Sequence, residues 1–209
     1  MNDDARKQQG AALVIALVML AVILLLGTAT ASLLALDEHA GRNHRAHLHA
    51  MLAAQAALDD ACEDIRGGVR VTPAAFPGEP GCRSDAAGLG LCRAAQKERV
   101  WEPRQLTADG AGAATYGEFT GRRLRLYDVA PPRYLIELLP APASTEAGNK
   151  DDASGDNPDD KQVALYRISA AGFGPGQARA GLQAVVRRQT IAGGQVECRR
   201  LAWRPLPLP

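Results

Sequence analysis

The sequence predicts an α+β protein, one long N-terminal helix packed on a four- to five-stranded antiparallel sheet. Three observations predict it. From Ala11 to Arg66 apolar residues recur at helical spacing, and no proline occurs before Pro73. Beyond residue 121, runs at 123–129, 133–139, 163–170, 180–191 and 196–203 read as strands separated by turn-forming residues. Residues 67–120, between these regions, are rich in Gly, Ala, Pro and Arg and hold no sustained period. Short turns join neighbouring strands antiparallel, and one amphipathic helix covers one sheet face.

The chain has 209 residues, enough for one domain or one domain plus an anchor. Its formal net charge of +1 gives no footprint for nucleic acid. Aromatic residues make up 4%, too few for base-stacking platforms.

Residues 1–10 form a charged leader with Arg6 and Lys7, ending at Gly10. Ala11–Leu36 contains no charge. As a helix it would be roughly 39 Å long, enough to span a bilayer core and longer than the apolar part of a secretory signal. Arg6 and Lys7 on one side, with Asp37 and Glu38 on the other, place the N-terminus in the cytoplasm. Three readings follow. A secretory signal would be cut at the small residues Ala29 and Ala31. A plain single-pass anchor would stay uncut. The third is cleavage after Gly10 by a prepilin peptidase, which leaves the apolar helix attached. The helical pattern continues past Ala31, which favours the third.

Residues 37–66 continue the helix as an amphipathic segment. Leu48, Leu52, Gln55, Leu58, Cys62 and Ile65 recur at steps of three or four and mark the face expected to meet a globular head. His39, His44, His47 and His49 fall here, but only His44 and His47 share a face and no acid or cysteine completes a tetrahedral set. No metal and no cofactor are expected.

Residues 67–120 read as an irregular connection stapled by cysteine. Cys62, Cys82, Cys92 and Cys198 all follow the apolar run, and outside the cytoplasm two disulfides have three connectivities. Cys82 and Cys92 enclose a glycine-rich loop, so Cys82–Cys92 is the first choice. Cys62–Cys198 would then tie helix to sheet. Buried free thiols are the alternative.

Residues 121–203 hold the strand signals. In the first run Leu124 and Leu126 point inward and Arg points outward. An acidic stretch at 141–161 interrupts the sheet. Its residue order does not match an EF-hand, so a solvated insertion is expected, with weak calcium binding as the lesser reading. "GFGPGQ" at 172–177 reads as a turn and not as a phosphate cradle. Arg122, Arg123 and Arg125 form a basic face, solvated or able to meet acidic partners. Residues 204–209, "RPLPLP", are expected to be extended and mobile. No G-x-S-x-G occurs and no histidine lies outside the helix, so a hydroxyl or thiol nucleophile has no base.

Several blocks together carry a resemblance. Gly10, Ala12 to Val18, Leu25 to Gly27, Asp37–Glu38, Asn43, Arg45 and Ala53 to Leu58 are similar to the N-terminal region of the PilX family of type IV pilus minor pilins. "GLC" at 90–92, "VW" at 100–101, "RYLIELL" at 133–139, "YRISAAGFG" at 166–174 and "LQAVVRR" at 182–188 resemble its later part. Three positions depart. Gln55 stands where the family often has Glu. Ala11 follows the cut where major pilins have Phe. Ile15 stands where major pilins carry the Glu that pairs with a neighbouring subunit's terminal ammonium.

The resemblance implies a pilin-like fold and a structural assembly role without enzymatic activity. It implies cleavage after Gly10 and N-methylation at Ala11. Expected partners are prepilin peptidase, other minor pilins, the major pilin, the inner-membrane assembly platform and the membrane itself. The chain would first be an inner-membrane protein with a periplasmic head, then part of the pilus. Lacking the Glu at position 15, it would act early, at or near the tip. A type II secretion pseudopilin is the neighbouring reading. A single-pass periplasmic sensor or binding domain is the reading from another class.

Overall fold

A computed structural model describes residues 3–95, 98–124, 129–140, 164–191 and 194–208, with the side chains of residues 3–11, 29, 31–33 and 35 outside that set. The chain forms two compact units, Met1–Arg45 and Ala46–Pro209. Helix α1 spans Asp3–Gly67. It ends where Gly68 takes a left-handed conformation at φ 63°, the usual glycine stop. Arg188 Nε donates to the free Ile65 carbonyl at 3.2 Å.

The second unit is built on β1 (Gly81–Cys82), β2 (Leu91–Arg93), β3 (Ala114–Thr115), β4 (Arg133–Leu138), β5 (Ala164–Phe173), β6 (Arg179–Thr190) and β7 (Val196–Leu206). The order is β1-β2-β4-β5-β6-β7, and β3 also pairs with β4. The α+β class holds, but the described sheet has seven strands and not the expected four or five. The additional strands, two or three residues long, come from 67–120. No periodic pattern can show in so short a run; pairing with longer neighbours orders it. One of them, β2, runs parallel to β4, with Cys92 opposite Glu137. All other pairs are antiparallel.

The strand expected at 123–129 is not formed in its described part. Arg123, Leu124 and Val129 lie in no strand and Leu124 is exposed; residues 125–128 lie outside the described set. The edge of β4 available to such a strand is already taken by β2 and β3. The tail is corrected too. β7 continues through Leu206, which is buried, and Arg204 bonds to Gln183. Pro205 sits opposite Leu182 on an edge strand, where a missing N–H is tolerated. "GFGPGQ" forms the β5–β6 connection.

Alternation along β4, β5 and β6 divides the sheet into two faces. Tyr134, Ile136, Tyr166, Ile168, Leu182 and Val186 pack with Ala54, Ala57, Leu58, Ala61 and Ile65 of α1. Leu135, Ala171 and Phe173 pack on the other side with Trp101, Leu106, Ala113 and Leu206. The segment read as a loose connection therefore supplies a third layer.

The helix face differs from the expected stripe in its first half, while Leu58, Cys62 and Ile65 of the second half do meet the sheet. Leu48, Leu52 and Gln55 are exposed, whereas Ala50, Ala53, Ala54, Ala57 and Ala61 are buried. The cause is the closeness of β5. A Cβ at Gly172 would lie 2.1 Å from the Ala50 carbonyl oxygen, and one at Gly174 2.3 Å from that of Ala46. Only methyl-sized side chains fit between backbones at that spacing.

Candidate functional site

The first unit presents an apolar helix. Leu13, Ile15, Leu17, Met19, Leu20, Ile23, Leu25 and Leu36 are all more than half exposed, and they lie on every side of α1. A helix apolar all round needs lipid or other helices around it. Two of its hydroxyls are satisfied within the helix: Thr28 Oγ1 donates to the Leu25 carbonyl at 3.0 Å and Thr30 Oγ1 to that of Gly27 at 2.9 Å. Such internal bonding removes most of the penalty of placing threonine in an apolar medium. Among the described residues no helix is long and apolar enough to cross a membrane.

Arg6, Lys7, Gly10 and Ala11 fall within α1. Ile15 is 60% exposed, so residue 15 offers a surrounding helix an apolar surface and no carboxylate.

In the second unit three devices bind the sheet to α1. One is the alanine–glycine seam. The second is the Cys62–Cys198 disulfide, from helix to β7. Cys82 and Cys92, directly opposite on β1 and β2, form the other disulfide.

The third device is a buried polar network that the sequence reading missed. Asp64 accepts from Arg70 Nε at 3.0 Å, from Arg70 Nη2 at 2.7 Å and from the Tyr134 hydroxyl at 3.2 Å. Arg70 also donates to the Leu89 carbonyl and lies 3.5 Å from the Phe119 ring centroid. Asp60 accepts from Gly117 N at 2.7 Å and from the Thr120 hydroxyl. Burial, then the charges of Asp64 and Asp60, pushes the Tyr134 hydroxyl far above the usual tyrosine value. The legible signal was two acids one turn apart on an alanine face, where charge is costly unless paired.

Among the described residues no group of three or more His, Cys, Asp or Glu could hold a metal ion. All four histidines are exposed. The acidic stretch 144–161, with its calcium question, lies outside the described residues. Arg122 and Arg123 are exposed, and Arg125 lies outside the set.

Two family models match. The PilX N-terminal model covers residues 9–59, which includes the apolar segment and most of the alanine face. The model for the C-terminal part of the type IV pilus assembly protein PilX covers residues 88–188, from β2 through most of β6. No curated protein and no solved structure matches the chain. With both its helix and the greater part of its sheet matched, the chain belongs to the PilX family of type IV pilus assembly proteins.

Proposed function

We propose that the chain is a minor pilin that, with other minor pilins, primes assembly of a type IV pilus and sits at or near its tip. The observation that carries this is the exposed apolar surface of α1 from Leu13 to Leu26, with Leu34 and Leu36 beyond, on a helix whose later part bears the sheet. Such a surface suits the inner membrane before assembly and a bundle of pilin helices afterwards. In lipid, hydrophobicity does not favour helix association, so packing and specific polar pairs decide the order of addition. Prepilin peptidase would cut after Gly10 and Ala11 would be N-methylated. The assembly platform and the major pilin are the further partners, and the role is structural, without catalysis.

Ile15 supports an early place. An ammonium buried among helices needs a partner charge. This subunit offers none to a neighbour at that level, so it is suited to a position where no such neighbour exists.

The test is expression with and without a prepilin peptidase, followed by mass spectrometry of the N-terminus. An N-terminus at Ala11 that depends on the peptidase is expected. Cleavage after Ala31, or no cleavage, overturns the reading.

A further inference from the structure

A cavity of about 240 Å³ opens on the sheet face away from α1. Its walls carry Glu137 of β4, Arg167 of β5, Gln183 of β6, Arg204 of β7, and Arg99 and Trp101 from the covering segment. Five separate parts of the chain thus converge on one polar space.

Glu137 is 1% exposed. Trp101 Nε1 donates to its Oε2 at 3.2 Å. Arg167 Nη1 stands 3.6 Å from Oε1, beyond hydrogen-bond reach. Oε1 has no hydrogen-bond partner among the described residues. Gln183 Oε1 accepts from Arg204 Nε at 3.0 Å and Nη2 at 2.8 Å, and Gln183 Nε2 donates to Ser169 Oγ at 2.8 Å. That chain fixes the Arg204 guanidinium. Arg99 Cζ lies 4.6 Å from the Trp101 ring centroid.

A buried carboxyl oxygen with no hydrogen bond, 3.6 Å from the Arg167 guanidinium in a wall that also carries Arg99 and Arg204, is an unfinished polar site. Among the described residues, the charged groups that share the cavity wall with Glu137 are Arg99 and Glu98 from the covering segment, Arg167 from β5 and Arg204 from β7. Arginine outnumbers acid, so the wall favours an anion. Burial pushes the Glu137 carboxyl up, against the opposing pull of Arg167, the Trp101 bond and Arg99. In its neutral form Glu137 carries an O–H for which the described residues supply no acceptor.

We propose that this cavity binds a carboxylate, with Glu137 as hydrogen-bond donor and Arg99, Arg167 and Arg204 as its cationic partners. The planar guanidinium fork matches the two oxygens of a carboxylate. The volume suits one acidic side chain inserted from a partner, or one small free acid. Where Glu137 is ionised in the empty site, binding a carboxylate takes up one proton there, so affinity rises as pH falls through that range. None of this chemistry depends on how the helix is processed.

The test uses the full chain in detergent micelles with Trp203→Phe, which leaves Trp101 as the only tryptophan. N-acetyl-aspartate amide, succinate and inorganic phosphate are titrated against its fluorescence. Saturable binding of a carboxylate is expected, strengthening up to about tenfold per unit fall in pH. Tighter binding of the aspartate amide points to a side chain of a partner, and tighter binding of succinate to a free acid; either supports the site. Glu137→Gln keeps binding but loses its pH dependence, because the amide donates at every pH. Arg167→Gln weakens binding about tenfold. Absence of saturation up to about 10 mM in chain that still melts cooperatively overturns the proposal. So does phosphate binding tighter than both carboxylates, or affinity that rises with pH.

Discussion

Gly172 of β5 lies against Ala50 of α1, so close that a Cβ on residue 172 would fall 2.1 Å from the Ala50 carbonyl oxygen. The contact is between backbones, which cannot give way as a flexible side chain can. Gly172→Ala is expected to destabilise the head by about 3 kcal/mol. Gly78→Ala, with nothing within 4 Å of its Cβ position, serves as the near-neutral control. Denaturant midpoints of the disulfide-intact chain check both.

Asp64 and Tyr134 are a second helix–sheet contact with separable parts. Asp64→Ala leaves buried Arg70 without its counter-charge and the Tyr134 hydroxyl without its acceptor, and should destabilise by about 3 kcal/mol. Tyr134→Phe removes one hydrogen bond, about 1 kcal/mol. It also changes the alkaline limb. The folded chain keeps the Tyr134 proton where the unfolded chain releases it, above about pH 10. The folded state then binds more protons, so stability falls as pH rises there. Tyr134→Phe should flatten part of that fall; Tyr166, raised by burial as well, keeps its own share. Urea melts at alkaline pH read the difference.

Glu137 should shape the acid-to-neutral range. Its carboxyl is raised by burial. Its contribution is therefore greatest below the ordinary carboxylate value and is lost as pH rises through the raised one. Glu137→Gln has no such slope. As pH rises from the ordinary carboxylate range through the raised value, the stability difference between the two proteins should move steadily in favour of the variant, which urea melts across that range read.

The disulfides should differ in worth. Cys82 and Cys92 are 10 residues apart, and Cys62 and Cys198 are 136 apart. On loop-closure entropy, replacing the first pair by serine costs about 3 kcal/mol and replacing the second about 5 kcal/mol. Thermal melts of the two double-serine variants should keep that order; the reverse order would show that local strain outweighs chain entropy.

Ile15→Glu restores the carboxylate that this helix lacks. If the absence confines the subunit to the tip, the variant should spread along sheared filaments under immunogold labelling. Wild-type label distributed evenly along filaments would refute the tip assignment.

Long elements were legible in the sequence. β4, β5, β6 and β7 each run for six or more residues, long enough for alternation or a bounded apolar run to show. Cys82 and Cys92 enclose glycines and Cys62 and Cys198 sit on long elements, and the structure bonds those same pairs. β1, β2 and β3 were not legible, because two or three residues carry no period. The polar network was half legible, as acids on an alanine face whose partners, Arg70 and Tyr134, come from elsewhere in the chain.

A long helix running through the uncharged apolar segment, and a sheet of alternating strands after it, are legible in the chain alone. Both are consequences of periodicity along the chain. Which face is buried over residues 48–55 follows from the tertiary structure. Leu48 and Leu52 are the more hydrophobic choice, yet Ala50, Ala53 and Ala54 are inside, because Gly172 and Gly174 bring β5 to backbone distance. The tertiary structure also decided that residues 98–113 cover the second sheet face and enclose the Glu137 cavity. Burial is set by what approaches a residue from elsewhere in the chain, and local pattern carries no record of that approach.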